Sequence, residues 1–213
     1  MAIPKVQKPL YTIDEYLTFE RASDEKHEYL DGRILAMAGE SSAHGDITVN
    51  IVGTMHGQLR GTRCRLRTKD TKVRSGPAPR LHGSRSGLFS YPDVLAVCGE
   101  PEYHDEHTDV ILNPTASIEV LSPTTEAFDR GDKFVRYQMW NPSLRDYIVV
   151  TQHRPQVEHF SRKADGSWSY DIVFGLESKI TIASIGCTLS LAEIYERVVF
   201  PEPKEEPDGE VKA

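Results

Sequence analysis

The chain has 213 residues, of which 38% are hydrophobic and 27% are charged, and its formal net charge is −7. This length suits one domain with a sizeable core, and the hydrophobic fraction excludes a wholly disordered chain. No run of 18 apolar residues occurs, and the N-terminus lacks the apolar run and cleavage site of a secretory signal, so neither a membrane span nor secretion is predicted. Cys64, Cys98 and Cys187 match neither a disulfide framework nor a zinc-binding pattern. We therefore expect three reduced thiols in a cytoplasmic protein.

The first third of the chain carries clear helix and turn signals. Residues 12–15 have the T-x-x-E spacing of a capping box, which predicts a helix over residues 13–21. Asp31-Gly32 between two apolar runs predicts a tight hairpin. A second helix is predicted after Ser41-Ser42, because apolar residues recur there every four positions. This predicted buried stripe consists of Ile47, Ile51, Met55 and Leu59.

The remainder of the chain alternates strand patterns with two further helices. Residues 75–90 are rich in Gly, Pro and Ser and predict a long mobile loop. Helices are predicted over residues 124–140, ended by Asn141-Pro142, and over 191–197, capped by Ser190. Strand patterns occupy residues 65–73, 91–98, 116–121, 146–151, 156–161, 168–174 and 179–182. The resulting prediction is a mixed α/β domain over residues 11–200, with an N-terminal extension (1–10) and a disordered acidic tail (201–213).

A strongly basic block interrupts this acidic chain. Between Arg60 and Arg85 there are nine Lys or Arg residues and one acid, Asp70, which gives a local charge of +8. Such a block can form an anion-binding face. It can equally be a solvated strand edge, where Lys and Arg prevent aggregation. The sequence leaves these two interpretations open.

Two carboxylates stand in or beside apolar strands. Asp93 lies in YPDVLAV and Glu119 in SIEVL, and an ionised carboxylate is costly to bury unless it is paired or binds a metal. Strand alternation places Asp93 on the face of Leu95 and Val97, and Glu119 on the face of Leu121. If the strands are neighbours, the carboxylates converge on an oxygen-rich site of the kind Mg²⁺ prefers. The alternative is that each carboxylate forms a salt bridge or lies at an exposed strand end.

A helix after Glu119 adds a candidate cation. Asp129, Lys133 and Tyr137 are spaced four residues apart and share one helical stripe, so Lys133 can reach a site at the strand end. An ordinary Asp129–Lys133 surface ion pair is the alternative. Glu28, in the hairpin, and His44, at the start of the second helix, are further candidates. Each could also be a residue without a ligand.

These residues occur in a series that resembles a known family. The series comprises EYLDGRI from Glu28, then His44, Pro92-Asp93-Val94, EVLSPTT from Glu119, DRGDKF from Asp129, and Tyr137. It is similar to the Uma-type family of restriction-endonuclease-like proteins, within the PD-(D/E)XK nuclease superfamily. The similarity extends from about residue 11 to residue 200.

The resemblance implies a fold, a cofactor and a set of roles. The fold is a restriction-endonuclease-like core, in which helices flank a central mixed β-sheet with extra antiparallel strands. The implied chemistry is hydrolysis of nucleic-acid phosphodiesters with Mg²⁺ or Mn²⁺. Asp93, Glu119 and the Val120 carbonyl would hold the metal, Lys133 would be the catalytic lysine and Glu28 an auxiliary acid. Auxiliary roles fall to His44 and Tyr137. Residues in the basic block that would contact nucleic acid are Arg65, Arg67, Lys69, Lys72 and Arg74.

The chain departs from the superfamily signature at one position. Leu121 stands two residues after Glu119, where the signature expects Lys, so Lys133 must reach the site from the following helix. The expected function is a metal-dependent endonuclease that acts on nucleic acid, with DNA as the first candidate substrate, and a homodimer is expected because two-strand cutting often uses two sites. The alternatives are a noncatalytic binding module and a structural oligomer subunit with the Leu88-Phe89 segment at an interface.

Overall fold

The structure is a computed structural model that describes residues 10–37, 39–78 and 83–201. The helices are α1 (Ile13–Ala22), α2 (Ser42–Leu59), α3 (Glu126–Phe128), α4 (Phe134–Trp140) and α5 (Leu191–Ile194), and a π-helical turn (Asp129–Lys133) joins α3 to α4. The strands are β1 (His27–Leu30), β2 (Arg33–Ala36), β3 (Cys64–Thr68), β4 (Lys72–Ser75), β5 (Leu88–Ser90), β6 (Val94–Cys98), β7 (Val110–Ile111), β8 (Ala116–Val120), β9 (Asp146–Val150), β10 (Gln156–Arg162), β11 (Trp168–Phe174), β12 (Lys179–Ile182) and β13 (Cys187–Ser190). No helix in these ranges is long and apolar enough to cross a membrane.

Two mixed sheets organise the molecule. One has the strand order β2-β1-β5-β4-β7, the other β11-β10-β9-β8-β6-β3, and β12 pairs with β13. Within the larger sheet β8 and β9 are parallel, whereas β6 is antiparallel to β8. The predicted mixed α/β class is confirmed.

The two faces of the larger sheet have different coverings. On one face Ile118 and Val120 of β8 pack with the α2 stripe, whose residues 47, 51, 55 and 59 are all buried. On the other face Leu95, Val97 and Leu121 pack with residues of α4. Alternation along β6 and β8 therefore directs Asp93 and Glu119 to the α4 face, as the sequence predicted.

The predicted caps and hairpin are also confirmed. Thr12 and Glu15 form the capping box of α1, and Ser190 and Glu193 form that of α5. β1 and β2 pair in an antiparallel hairpin, and Gly32 has a φ of 91° in the turn. Such a positive φ favours glycine because it has no Cβ. The hairpin positions Glu28 at a fixed place beside β5.

Several predicted boundaries are wrong. The predicted strand over residues 65–73 is two strands in different sheets, β3 and β4. The predicted helix over 124–140 contains the π-helical turn. The predicted loop over 75–90 includes β5, in which Leu88 and Phe89 are fully buried, so that segment is not an exposed interface. Tertiary pairing decided these boundaries, which local propensity does not encode.

The expectation of three free thiols is wrong as well. β3 and β6 pair so that Cys64 faces Cys98 directly, and the two form a disulfide, whereas Cys187 is free and buried. The two cysteines are 34 positions apart, so nothing local in the sequence announced the pair. The argument for a reducing compartment no longer holds, and the cytoplasmic location stays a prediction.

Other predictions lie largely outside the described residues. These are the N-terminal extension, the acidic tail, and Arg80 in the basic block. The extent of the single domain over 11–200 stays a prediction.

Candidate active site

The register of β6 and β8 brings the first two carboxylates together. Val94 pairs with Ile118 in antiparallel register, and continuation by one residue places Asp93 opposite Glu119. Glu119 is only 3% exposed. The backbone N–H of Val120, at the end of β8, donates to Asp93 Oδ2 at 2.7 Å. The strand that carries Glu119 therefore also fixes the orientation of Asp93.

Lys133 is the cation of this site. Its Nζ lies 2.8 Å from Glu119 Oε2, 3.3 Å from Asp129 Oδ1 and 3.8 Å from Glu28 Oε1. The lysine is 3% exposed and Asp129 is 5% exposed. The Asp129–Lys133 pair therefore forms as the spacing suggested, but it is buried in the site and is not a surface pair. Both residues belong to the π-helical turn, a feature frequent at functional sites.

The site therefore contains more acid than base. We call its members, Glu28, Asp93, Glu119, Asp129 and Lys133, the acidic cluster. Burial raises the pKa of Glu119 well above its usual value, with further increases from the charges of Asp129 and Asp93. Burial also raises the pKa of Glu28, although Lys133 and the Tyr91 N–H oppose the shift. The raised pKa of these two carboxyl groups reflects burial that the charge of Lys133 does not fully offset.

Lys133 remains charged in this environment. Burial alone would lower the pKa of Lys133, but the charges of Glu119, Asp129 and Glu28 together raise it well above its usual value. A lysine held protonated in this way is a permanent point charge beside the carboxylates. It can stabilise negative charge, and it cannot act as a base at neutral pH.

His44 contacts the cluster from the start of α2. Its Nε2 lies 2.8 Å from Asp93 Oδ1, and its backbone N–H donates to Ser41 Oγ in the helix cap.

Sequence reasoning missed Gln152, which contacts His44. Gln152, after β9, donates to the Leu121 carbonyl at 2.6 Å and lies 3.5 Å from His44 Nδ1. Parallel pairing of β8 and β9 brings Gln152 there, and no local motif signals it.

Tyr137 lies deeper, behind the charged groups. It is fully buried, and its hydroxyl is 3.0 Å from the hydroxyl of Ser90 on β5. Burial raises the pKa of Tyr137 far above its usual value, so the phenol stays neutral. This residue joins α4 to the smaller sheet and holds the helix that carries Lys133.

The five predicted nucleic-acid contacts divide into two groups. Arg65 is exposed and Arg67 is half-buried on β3, while Lys69 lies 2.5 Å from Glu40, which in turn is 4.0 Å from His44. Lys72 and Arg74 are buried on β4. Lys72 contacts Asp109 at 2.9 Å, and Arg74 donates to the Pro77 carbonyl. Only the first group is placed to meet a ligand from solvent.

The oxygen ligands of this site suit Mg²⁺ or Mn²⁺, which keep bound water, better than a metal ion coordinated only by protein side chains. Among the described residues no three His, Cys, Asp or Glu side chains are arranged to hold a metal ion on their own. Mg²⁺, however, keeps several waters and is bound through one or two carboxylates plus substrate phosphate. Asp93 and Glu119 form such a pair, because the register of β6 and β8 places them opposite each other. The residues therefore fit the ion that the resemblance implies.

The fold and the family define the class of protein. A solved structure titled as a putative nuclease belonging to DUF820, from Anabaena variabilis, matches with a TM-score of 0.68 at 13% identity, over 88% of this chain and 99% of that chain. This match shows a restriction-endonuclease-like fold. The fold prediction is thus confirmed.

The chain belongs to the Uma2 family, described as "putative restriction endonuclease", whose model matches residues 13–192. Two proteins of Synechocystis sp. are similar to this chain over most of their length. The uncharacterized protein slr1290 is 32% identical over 92% of this chain and 97% of the relative, and the uncharacterized protein sll1609 is 29% identical over 80% and 92%. Both the family description and the name of the solved neighbour are those of a putative nuclease.

Proposed function

We propose that the chain is a divalent-metal-dependent endonuclease that hydrolyses phosphodiester bonds of nucleic acid, with DNA as the preferred substrate. The observation that carries the proposal is the contact between the buried Glu119 carboxylate and Lys133, with Asp93 opposite on the next strand. A purely structural core would not be expected to keep three carboxyl groups around one ammonium, because unpaired buried charge is costly.

The metal would be held by Asp93, Glu119 and the Val120 carbonyl. When bound, Mg²⁺ or Mn²⁺ supplies Lewis-acid stabilisation of the charge that develops on the phosphate. The side chains of the chain divide the remaining work. Lys133, held protonated, stabilises negative charge on the phosphate or positions the nucleophile, and Glu28 accepts hydrogen bonds that orient water. His44 holds Asp93 in place.

Substrate binding would use the solvent-accessible cations on and just after β3. Arg65, Arg67 and Lys69 lie on or just after β3, and Lys69 connects to His44 through Glu40. Contacts of this kind to phosphates supply sequence-independent affinity. A local basic strip of this type allows an acidic protein to bind nucleic acid.

The position of Lys133 weakens the case for a noncatalytic binding module. That alternative drew on the absence of Lys at position 121, but an ammonium 2.8 Å from Glu119 fills the same chemical need from the helix. A homodimer stays a prediction. Its test is the mass of the protein in solution.

Incubation of purified protein with plasmid and single-stranded substrates tests the proposal. Reactions contain Mg²⁺, Mn²⁺ or chelator, and compare wild type with Asp93→Ala and Glu119→Ala. We expect cleavage only with metal, and only by the wild type. Asp146→Asn is the matched control, because Asp146 is also a carboxylate buried to 3% exposure but pairs with His159 on β10. Cleavage by Glu119→Ala at the wild-type rate would refute the assignment.

A further inference from the structure

A second polar network holds the side chain of Tyr91, the residue that precedes Pro92-Asp93. Tyr91 is 5% exposed, and its hydroxyl donates to Glu20 Oε1 at 2.6 Å. The same hydroxyl accepts from Lys72 Nζ at 3.2 Å. Glu20 and Lys72 are themselves buried. The phenol is therefore fixed by one donated and one accepted hydrogen bond in a site closed to solvent.

Each anchor of Tyr91 is fixed in turn by another element. Glu20 on α1 accepts the backbone N–H of His27 at 2.9 Å. Lys72 on β4 contacts Asp109 at 2.9 Å, and its Nζ lies 5.1 Å from the centre of the Tyr91 ring. The network thus couples α1, β1 and β4 to one side chain.

The main chain of the same residue enters the acidic cluster. The backbone N–H of Tyr91 donates to Glu28 Oε1 at 3.2 Å. Asp93 follows two residues later, and the intervening Pro92 has a fixed φ, so this link is short and stiff. One tripeptide therefore links two carboxylates that belong to different sheets. The segment Tyr91-Pro92-Asp93 joins the buried network to both of them.

We propose that Tyr91 is a positioning residue, which holds Glu28 and Asp93 in the arrangement that binds the metal and acts on the substrate. This inference rests on the proposed nuclease function. Tyr91 itself touches neither the substrate nor the reacting atoms. Removal of a residue that orients metal ligands without binding the metal itself commonly lowers metal affinity or activity by about 10- to 100-fold.

Tyr91→Phe tests the inference, because it keeps the ring and the main chain and removes only the hydroxyl. Tyr195→Phe is the matched control. Tyr195 is 4% exposed, and its hydroxyl also makes two hydrogen bonds, donating to the Gln156 carbonyl at 2.7 Å and accepting the Gln156 N–H at 3.1 Å. Its partner lies on β10 and is not a member of the acidic cluster, so the control reports the cost of losing a buried hydroxyl in this protein.

Three quantities are measured for each variant: Mn²⁺ affinity by calorimetry, kcat and KM on a nucleic-acid substrate, and the thermal midpoint. We expect Tyr91→Phe to weaken Mn²⁺ binding and lower kcat by about 10-fold, with KM within about two-fold of wild type. Both variants should lower the thermal midpoint by a similar amount, because each loses one buried hydroxyl group. Tyr195→Phe should change neither Mn²⁺ affinity nor kcat. Glu20→Gln, which keeps an oxygen acceptor for the Tyr91 hydroxyl, should retain more activity than Glu20→Ala.

The outcomes separate this inference from the proposed function. If wild type cuts nucleic acid and Tyr91→Phe matches Tyr195→Phe in Mn²⁺ affinity and kcat, Tyr91 is structural only and the inference falls alone. Equal losses in Glu20→Gln and Glu20→Ala would also count against it. If wild type neither binds Mn²⁺ nor cuts any substrate, the proposed function fails first, and the positioning role fails with it.

Discussion

Two ionic clusters, joined through Tyr91, use the same residue types with opposite charge balance. The acidic cluster surrounds Lys133 with carboxyl groups. The second, which we call the balanced cluster, contains two cations and two carboxylates, Arg21, Lys72, Asp105 and Asp109. In it Arg21 donates to both Asp105 and Asp109 at 2.7–3.1 Å, and Lys72 contacts Asp109 at 2.9 Å.

The pKa shifts in the two clusters run in opposite directions. In the balanced cluster burial would raise the pKa of Asp105 and Asp109, but Arg21, together with the His107 N–H at Asp105 and Lys72 at Asp109, lowers both. In the acidic cluster burial prevails and the pKa values of Glu28 and Glu119 rise. Full compensation is what a structural salt-bridge network needs. Incomplete compensation leaves a site that gains from an added cation, which is the property expected of a metal-dependent active site.

Removal of one cation from each cluster should separate the two roles most strongly. Lys133→Met should lower turnover by at least about 100-fold, because the ammonium that stabilises the developing charge is lost. Arg21→Met should leave turnover near wild type and lower the free energy of unfolding by about 2 kcal/mol, since Asp105 and Asp109 lose their shared partner. Turnover on plasmid and urea unfolding measure the two effects. Full turnover by Lys133→Met would remove the functional distinction between the clusters.

Addition of metal should stabilise only the acidic cluster. At about 100 times its dissociation constant, Mn²⁺ should raise the free energy of unfolding of wild type by about 2.7 kcal/mol. Asp93→Ala should lose this increase, and Asp105→Ala should keep it, because Asp105 is already neutralised by Arg21. Urea unfolding with Mn²⁺ and with chelator measures the difference. An equal gain in Asp93→Ala would place the metal elsewhere.

The pH dependence of stability should have opposite sign at the two clusters. The pKa of Glu28 is raised above its usual 4.5 in the folded state, so the folded state loses stability as pH rises from 4.5 toward the raised pKa. Glu28→Gln removes that titration, and the stability of this variant relative to wild type should increase with pH in metal-free buffer.

The pKa of Asp105 is lowered from 3.8 in the folded state, so its contribution to stability is present above pH 3.8 and is lost as pH falls. The deficit of Asp105→Asn should therefore shrink in acid. Urea unfolding across the pH range checks both signs, and parallel curves would contradict the assigned directions.

The sequence predicted the acidic cluster better than the balanced one. Alternation within two short strands placed Asp93 and Glu119 on one face, and helical spacing placed Lys133 beside Asp129. These are local periodicities, which a sequence displays directly. The parallel pairing that brings Gln152 to His44 is not local, and for that reason it was missed.

The basic block shows the same limit. Nine cations within 26 positions look equivalent in the sequence, yet Lys72 is 4% exposed and Arg65 is exposed. The difference arises because β4 lies inside the smaller sheet between β5 and β7, whereas β3 is the edge strand of the larger sheet. Strand order decides which cation is buried, and it also brings Cys64 and Cys98 together. Neither result can be predicted from the spacing of residues in the sequence.

The smallest expected effect concerns the exposed cations that neither cluster neutralises. The Arg65 side chain is 54% exposed and lies 3.8 Å from an exposed Glu100, so this pair contributes little to stability. Arg65→Ala and Arg67→Ala should each weaken nucleic-acid binding by about two- to three-fold. Each should also reduce the slope of log K against log salt concentration by about one, which corresponds to one lost phosphate contact. Lys163→Ala, at an exposed position just after β10, is the control and should change neither. Fluorescence anisotropy at several salt concentrations measures both quantities. If Lys163→Ala weakens binding as much as Arg65→Ala, affinity arises from net charge alone, and the strip beside the acidic cluster has no special part in holding the substrate.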